Sequence, residues 1–440
     1  MKKDGSAKVI FSVLAVIAVV AVCVVVFMVK PWKEKTSEET KNNTSEVSET
    51  EVTSESETSE STDESGGLQT IQAVYLGVAD YGEEETRIEN VENFQYRFEV
   101  NGEEQLFRID NSQKDETGES AFAIQNKLKE NYGFELLVKN GIIYSVAELP
   151  SEPTGYQPPV VGKAGERTLS NFVKTSLMPV GVTLYIAGGG WNWQNTAPAI
   201  QGRSIGVADS WVRFFLEHDE SYSFLDVDNN PAKRDPRTSY FPFGDYNEYY
   251  YAGLDCSGFV NWAIYNTFET EDGNPGYTWK STTIAKQLRD YGWGTYTQDV
   301  KEPSKGSEYV FKPGDIMSLT GHVYISLGTC SDGSILIVHS TSEVYSRTGQ
   351  PGGGVALGVV SYTKECEAYR LADEYMSKYY PEWYERYSIQ LSNPESFCYV
   401  TGYDEAGLFR WDTTSASGIS DPDHIQEMTP EEVLKFCYGE

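Results

Sequence analysis

Two adjoining stretches decide where this chain can build a folded core. Residues 9–29 are apolar at every position except Ser12. At about 1.5 Å per helical residue, such a run crosses the roughly 30 Å hydrocarbon core of a bilayer. Residues 36–67 are the reverse, a tract of Ser, Thr and Glu with hardly a large apolar side chain. A tract of that kind buries too little surface to offset its chain entropy, so it stays unfolded. Compact domains are therefore expected only from residue 68 onward.

No small-x-small cleavage pattern precedes Lys30-Pro31-Trp32, so the apolar run reads as an uncleaved anchor and not as a secretory signal. Cys23 follows Val22 and has further apolar residues after it, which does not suit a lipidated cysteine. Lys2, Lys3 and Lys8 place residues 1–8 in the cytoplasm, although Lys30, Lys33 and Lys35 weaken the asymmetry. The expectation is a single-pass protein of the cell membrane whose remainder is extracytoplasmic and faces the cell wall. The disordered linker, residues 30–67, then acts as a tether. Its acidic tract would span roughly 30 Å as a neutral flexible chain and about 100 Å fully stretched.

The formal charge of −31 lies partly in that linker. It argues against a nucleic-acid partner, which would need Lys and Arg against phosphates. Of the six cysteines, none forms a CxxC pair, so neither a zinc ribbon nor a redox motif is indicated. Cys330, Cys366, Cys398 and Cys437 could pair in disulfides or stand as separate buried thiols, and the sequence leaves both open.

Residues 68–150 read as a small α+β domain: a strand at 71–76, hairpins around Asn101-Gly102 and Asn140-Gly141, and helical spacing over 121–132. They carry no cluster of reactive groups, so they read as a spacer or a wall-binding module. A Pro-rich linker, 151–162, leads into a catalytic region at 163–440. Within it lie an aromatic-rich insert at 191–251 and a C-terminal extension at 369–440, which reads as covering helices and loops.

The chemistry begins at Leu254-Asp255-Cys256-Ser257-Gly258-Phe259-Val260. Asp255 is an N-cap candidate, and Phe259, Val260, Ala263 and Ile264 follow at helical spacing. A thiol at a helix start meets partial positive charge, which favours the thiolate. Covalent catalysis also needs a base and a group that orients it. His322 opens an apolar strand after Pro313-Gly314-Asp315 and Gly321, and His339 ends the next apolar run. Neighbouring strands would bring the two rings together, with His322 as base and His339 accepting from its other nitrogen. Zinc on one thiol and two imidazoles is the competing chemistry, but no fourth ligand is evident. His218 and His424 lie in acidic polar surroundings and read as surface residues.

These motifs resemble the NlpC/P60 family of papain-like cysteine peptidases. Leu184-Tyr185-Ile186-Ala187-Gly188-Gly189 is similar to the family's Tyr-x-x-Gly-Gly turn, and Ser281-Thr282-Thr283-Ile284-Ala285-Lys286-Gln287 to its next loop. The likeness covers roughly residues 165–365 and implies an α+β fold with the nucleophile helix packed on an antiparallel sheet. It also implies hydrolysis of peptidoglycan stem peptides between γ-D-glutamate and the diamino acid, with no cofactor and no metal. Carried onto this chain, it makes Cys256 the nucleophile, His322 the base and His339 the orienting residue. Tyr185 would position the substrate, and Asp255 and Ser257 would hold the free amine of an N-terminal alanine.

The insert departs from the family, in which the turn and the cysteine lie much closer together. Its Tyr240-Phe241-Pro242-Phe243 run could wall a cleft, stack on sugars or pack on the core. Asp226, Asp228 and Asn230 do not form an EF-hand, because Pro231 and Arg237 stand where glycine and glutamate are required. Three rivals remain: a CHAP-type amidase or cross-bridge peptidase with the same residues, a non-catalytic wall-binding scaffold, and an enzyme that transfers the acyl group to an amine in place of hydrolysis. The sequence does not identify a protein partner.

Overall fold

The computed structural model describes residues 67–81, 91, 94–112, 123–191, 198–218, 249, 251–307, 310–345, 351–400, 404–414 and 418–440. The expected anchor, the acidic tether, Tyr240-Phe241-Pro242-Phe243 and the rejected calcium loop lie outside the described residues. Among the described residues no helix is long and apolar enough to cross a membrane. Residues 64–440 form one compact unit.

The first domain is a closed barrel of β1 (Gln69–Tyr81), β2 (Phe94–Val100), β3 (Glu103–Ile109), β4 (Gly133–Lys139) and β5 (Ile142–Glu148). Asn101, Gly102, Asn140 and Gly141 all have φ between 52° and 81°. That backbone makes the tight primed turns whose twist matches two antiparallel strands. Both expected hairpins therefore form. The strand order β1-β2-β3-β5-β4, with β3 and β5 parallel, is that of the five-stranded Greek-key barrel called the OB-fold. Tyr75, Tyr96, Phe98, Phe107 and Phe134 fill its core. The helix expected over 121–132 is corrected to one 3₁₀ turn, Gln125–Lys127. Leu128 turns extended immediately after it, and Asn131 is left-handed, so no second turn can follow. The described part of this domain is thus β-structure.

The Pro-rich segment lies on the domain that follows it. Thr154 donates from its backbone N–H (2.7 Å) and hydroxyl (2.6 Å) to Asp209, and Val160 enters the main core. The barrel itself is joined to α2 (Asp209–Glu217) and its exit. The Glu130 N–H donates to the Tyr251 hydroxyl at 2.6 Å, and Arg213 lies over the Tyr132 ring. His218 corrects its reading as a surface residue. It is 4% exposed, stacks on Phe214 at 3.8 Å, and sets Nε2 3.4 Å from the Glu130 carboxylate. Its acidic neighbours suggested water, but the end of α2 aims the ring into the contact with the barrel.

The second domain is built on a seven-stranded sheet in the order β11-β10-β9-β8-β7-β12-β6. Its strands are β6 (Gly294–Thr297), β7 (Ile316–Leu319), β8 (His322–Thr329), β9 (Ile335–Tyr345), β10 (Pro351–Val360), β11 (Leu391–Ser392) and β12 (Gly407–Trp411). Only the β10–β11 pair is parallel. Helices α1 (Leu169–Leu177) and α3 (Cys256–Phe268) lie in one core with the inner sides of β8, β9 and β10. Every residue of α3 is buried, so this helix has no polar face.

The chain then adds α4 (Ile284–Asp290) and, after β10, α5 (Glu367–Tyr379), α6 (Pro381–Arg386), α7 (Pro394–Phe397) and α8 (Pro430–Tyr438). The reading of 369–440 as helices and loops alone is corrected, because it supplies β11 and β12, and β12 sits inside the sheet. Arg410 on β12 can occupy that place because Asp315 accepts two hydrogen bonds from its guanidinium, at 2.9 and 2.6 Å. The Asp315 of Pro313-Gly314-Asp315 is therefore a buried structural anchor.

Candidate active site

Cys256 is the first residue of α3, as its sequence context required. Asp255 is the N-cap, extended in backbone, and its Oδ1 accepts from the Gly258 N–H at 2.7 Å and from the Ser257 hydroxyl at 2.8 Å. The turn from Tyr185 to Gly190 lies directly on this cap. Leu254 N–H donates to the Leu184 carbonyl and Asp255 N–H to the Gly189 carbonyl. Backbone meets backbone here: a Cβ on Gly258 would stand 2.1 Å from the Gly189 oxygen. Only glycine permits that approach. Tyr185, half-buried, is thereby carried next to the cysteine loop. Ser340, beside His339, donates to the Leu254 carbonyl at 2.6 Å and ties the same loop to β9.

The two histidines come together where the β8–β9 ladder ends: His322 opens β8, and His339 does not end its strand as expected but lies within β9, paired with Ala356 of β10. The ladder between these strands runs from Thr329↔Ile335 to Ile325↔Val338 and stops there. Just beyond, His322 Nε2 lies 2.9 Å from His339 Nδ1. The Cys256 thiol donates to the Gly321 carbonyl at 3.9 Å and also receives the Val323 N–H. The sulfur is thus bracketed by the peptide groups on either side of His322. Among the described contacts there is no direct hydrogen bond from Sγ to the imidazole.

Burial dominates the electrostatics. It holds His322 down at about 4 and His339 well below the usual imidazole range. It pushes the Cys256 thiol upward, and the neighbouring Asp255 carboxylate adds to that shift. Asp255 itself is pushed up to about 6 by burial, against the hydrogen bonds that favour its charge. Burial therefore favours the neutral thiol and the neutral imidazole over the ion pair. This differs from the thiolate expected from the helix start alone. The helix field is real but local, whereas removal from water penalises both ions of the pair.

Three contributors were not visible as motifs. The Phe397 ring, on α7, packs 5.4 Å from His322, and its carbonyl accepts from the Tyr324 hydroxyl. Gly358 on β10 gives His339 its seat, since a Cβ there would lie 2.6 Å from Nε2. That Nε2 is buried without a hydrogen-bond partner among the described residues. The third contributor, Ser340, was hidden in an apolar strand. His424 is exposed, as its surroundings suggested. The described cysteines, Cys256, Cys330, Cys366, Cys398 and Cys437, are all unpaired.

A buried thiol at the start of a helix, set against antiparallel strands bearing two linked imidazoles, defines a papain-like cysteine hydrolase site. Residues 244–341 match the CHAP domain family, a cysteine- and histidine-dependent amidohydrolase and peptidase domain related to NlpC/P60. The match contains Cys256, His322 and His339. It falls on CHAP, the rival in the sequence reading, and not on NlpC/P60 itself. No curated protein and no solved structure matches the chain.

Proposed function

We propose that this protein hydrolyses an amide bond in the peptide part of peptidoglycan through a thioester on Cys256. The observation that carries the reading is the 2.9 Å imidazole pair set at the peptide groups that bracket the thiol. With His322 Nε2–H donating to His339 Nδ1, the free lone pair of His322 is on Nδ1, where it can accept the Cys256 proton. Because burial favours the neutral pair, proton transfer accompanies attack. The sulfur bonds to the substrate carbonyl while His322 takes the thiol proton. The C–N bond then breaks, the amine leaves with that proton, and water cleaves the thioester. The Cys256 N–H, in the first turn of α3, is placed to support the oxyanion.

We assign Asp255 and Ser257 to holding the helix start. Their hydrogen bonds within the chain would have to be exchanged before they could bind a substrate amine. Tyr185 is the candidate substrate contact. We further propose that residues 9–29 anchor the protein in the cell membrane with the hydrolase outside. Two kinds of cut fit the chemistry: one within the stem at the γ-D-glutamyl–diamino acid bond, and one at its ends, at the glycan–peptide amide or the cross-bridge, which the CHAP match favours. Mass analysis of digested peptidoglycan separates them. A cut within the stem exposes a diamino-acid amine, whereas an amidase releases whole stem peptides. Unchanged peptidoglycan after digestion would refute both.

A further inference from the structure

Beyond the C-terminal end of α3, aromatic rings continue from the core to the surface. Phe172, Trp411, Phe268 and Trp293 form the inner part, with Phe268 and Trp293 stacked at 4.2 Å. The outer part is Tyr277, Trp279 and Tyr291, with centroids 4.5 Å apart between the first two and 5.4 Å between the last two. Tyr291 is 54% exposed, and Tyr277 and Trp279 are half-buried. Its buried footing holds this outer shelf rigid, so its rings lose little freedom when something stacks on them.

The shelf is connected to the reactive site on two sides. Asn261 donates from its side chain to the Trp279 carbonyl at 2.9 Å, and it lies five residues after Cys256 on α3, about 7.5 Å along the helix axis. From Trp279 the chain runs to Ala285, whose N–H donates to the Ser318 hydroxyl at 3.0 Å. Ser318 is the register partner of Val323, next to His322. The connector therefore spans from the nucleophile helix to the histidine strand. On either side of Trp279 in the chain, Thr278 is half-buried and Lys280 exposed, and Lys280 makes no ion pair among the described residues.

We propose that Trp279 and Tyr291 form a sugar-stacking subsite for the glycan strand that carries the peptide cut at Cys256. The substrate class rests on the function proposed above, whereas the shelf is observed independently of it. Aromatic faces suit the apolar faces of pyranose rings, and Thr278 and Lys280 flank Trp279 in the chain. The cation Lys280 suits a carboxylate-bearing polymer on a chain whose formal charge is −31.

Two measurements on the full chain test the proposal. In the first, Cys256→Ala protein is titrated with a peptide-free tetrasaccharide of alternating N-acetylglucosamine and N-acetylmuramic acid, followed by calorimetry. Saturable binding that Tyr291→Ala weakens about 2- to 10-fold is expected, the range that one aromatic contact supplies. No binding would overturn the subsite whether or not the protein is a hydrolase. In the second, Tyr291→Ala should lower kcat/KM by the same factor on a disaccharide-linked stem peptide while leaving the sugar-free stem peptide within about 2-fold of wild type. Equal losses on both substrates would make the shelf merely structural. If wild type cuts neither, the hydrolase reading fails, and the binding titration still decides the subsite.

Discussion

Replacing Gly358 by alanine should disable the site without altering any residue that carries chemistry. The added Cβ would stand 2.6 Å from His339 Nε2, 3.2 Å from Cδ2 and 3.3 Å from Cε1. Ordinary contact begins near 3.4 Å, so the ring must retreat by roughly 0.8 Å at Nε2. It has little room to do so, because His339 is 1% exposed. Its other nitrogen already lies at hydrogen-bond distance, 2.9 Å, from His322. The displacement therefore falls on the imidazole pair. A misplacement of about 1 Å in a catalytic group costs about 100-fold in rate, and overpacking adds about 1–3 kcal/mol of destabilisation. The assay is kcat/KM on a disaccharide peptide, with thermal melting to measure the fold. Gly358→Ala should lose about 100-fold while remaining folded at the assay temperature. Because both changes act through the same ring, adding Gly358→Ala to His339→Ala should cost little more than His339→Ala alone. Wild-type activity in Gly358→Ala, or losses that multiply in the double variant, would refute the seating argument.

The remaining predictions concern charge and packing. With His322 held at about 4, the acid limb of kcat/KM should fall near pH 4–5 and not at the ordinary imidazole value of about 6.5. The same depressed histidines contribute stability that is present above about pH 6.5 and lost as pH falls toward 4, read as a declining melting temperature. Alkylation of Cys256 should be slow at neutral pH and still be rising about tenfold per pH unit through pH 9, whereas a flat rate from pH 5 to 8 would indicate a preformed ion pair. Arg410→Met strands the buried Asp315 carboxylate and should cost about 3 kcal/mol in chemical denaturation, and a loss under about 1 kcal/mol would contradict its anchoring role. Tyr251→Phe removes the partner of the buried Glu130 N–H and should cost about 1–3 kcal/mol in a single unfolding transition. Separate transitions for barrel and catalytic domain, with no effect of Tyr251→Phe, would refute their coupling.

Much of the site was legible because its signals are local. The helix start at Cys256 follows from Asp255 and the apolar spacing behind it, and the hairpins follow from Asn-Gly turns. The meeting of His322 and His339 needed only adjacent strands. What escaped depends on distant partners. The barrel closes through the parallel β3–β5 pair, which has no local sequence mark. Strand β12 carries an arginine whose charge is paired by Asp315, far back in the chain. His218 looked solvated until Glu130 of the barrel came against it. Gly358 gave no signal at all, because its role is to leave room for a ring on another strand. The burial that opposes ionisation of the thiol was hidden for a related reason: a helix start can be read along the chain, but burial cannot.

The most direct test of the central claim is intact-protein mass spectrometry of the full chain, quenched in acid during digestion of purified sacculi. The account predicts an acyl adduct on Cys256 whose mass equals the acyl part of the product, together with new amine termini. It predicts neither adduct nor termini with Cys256→Ala. Undiminished cleavage by Cys256→Ala, or an adduct on any other residue, would contradict it.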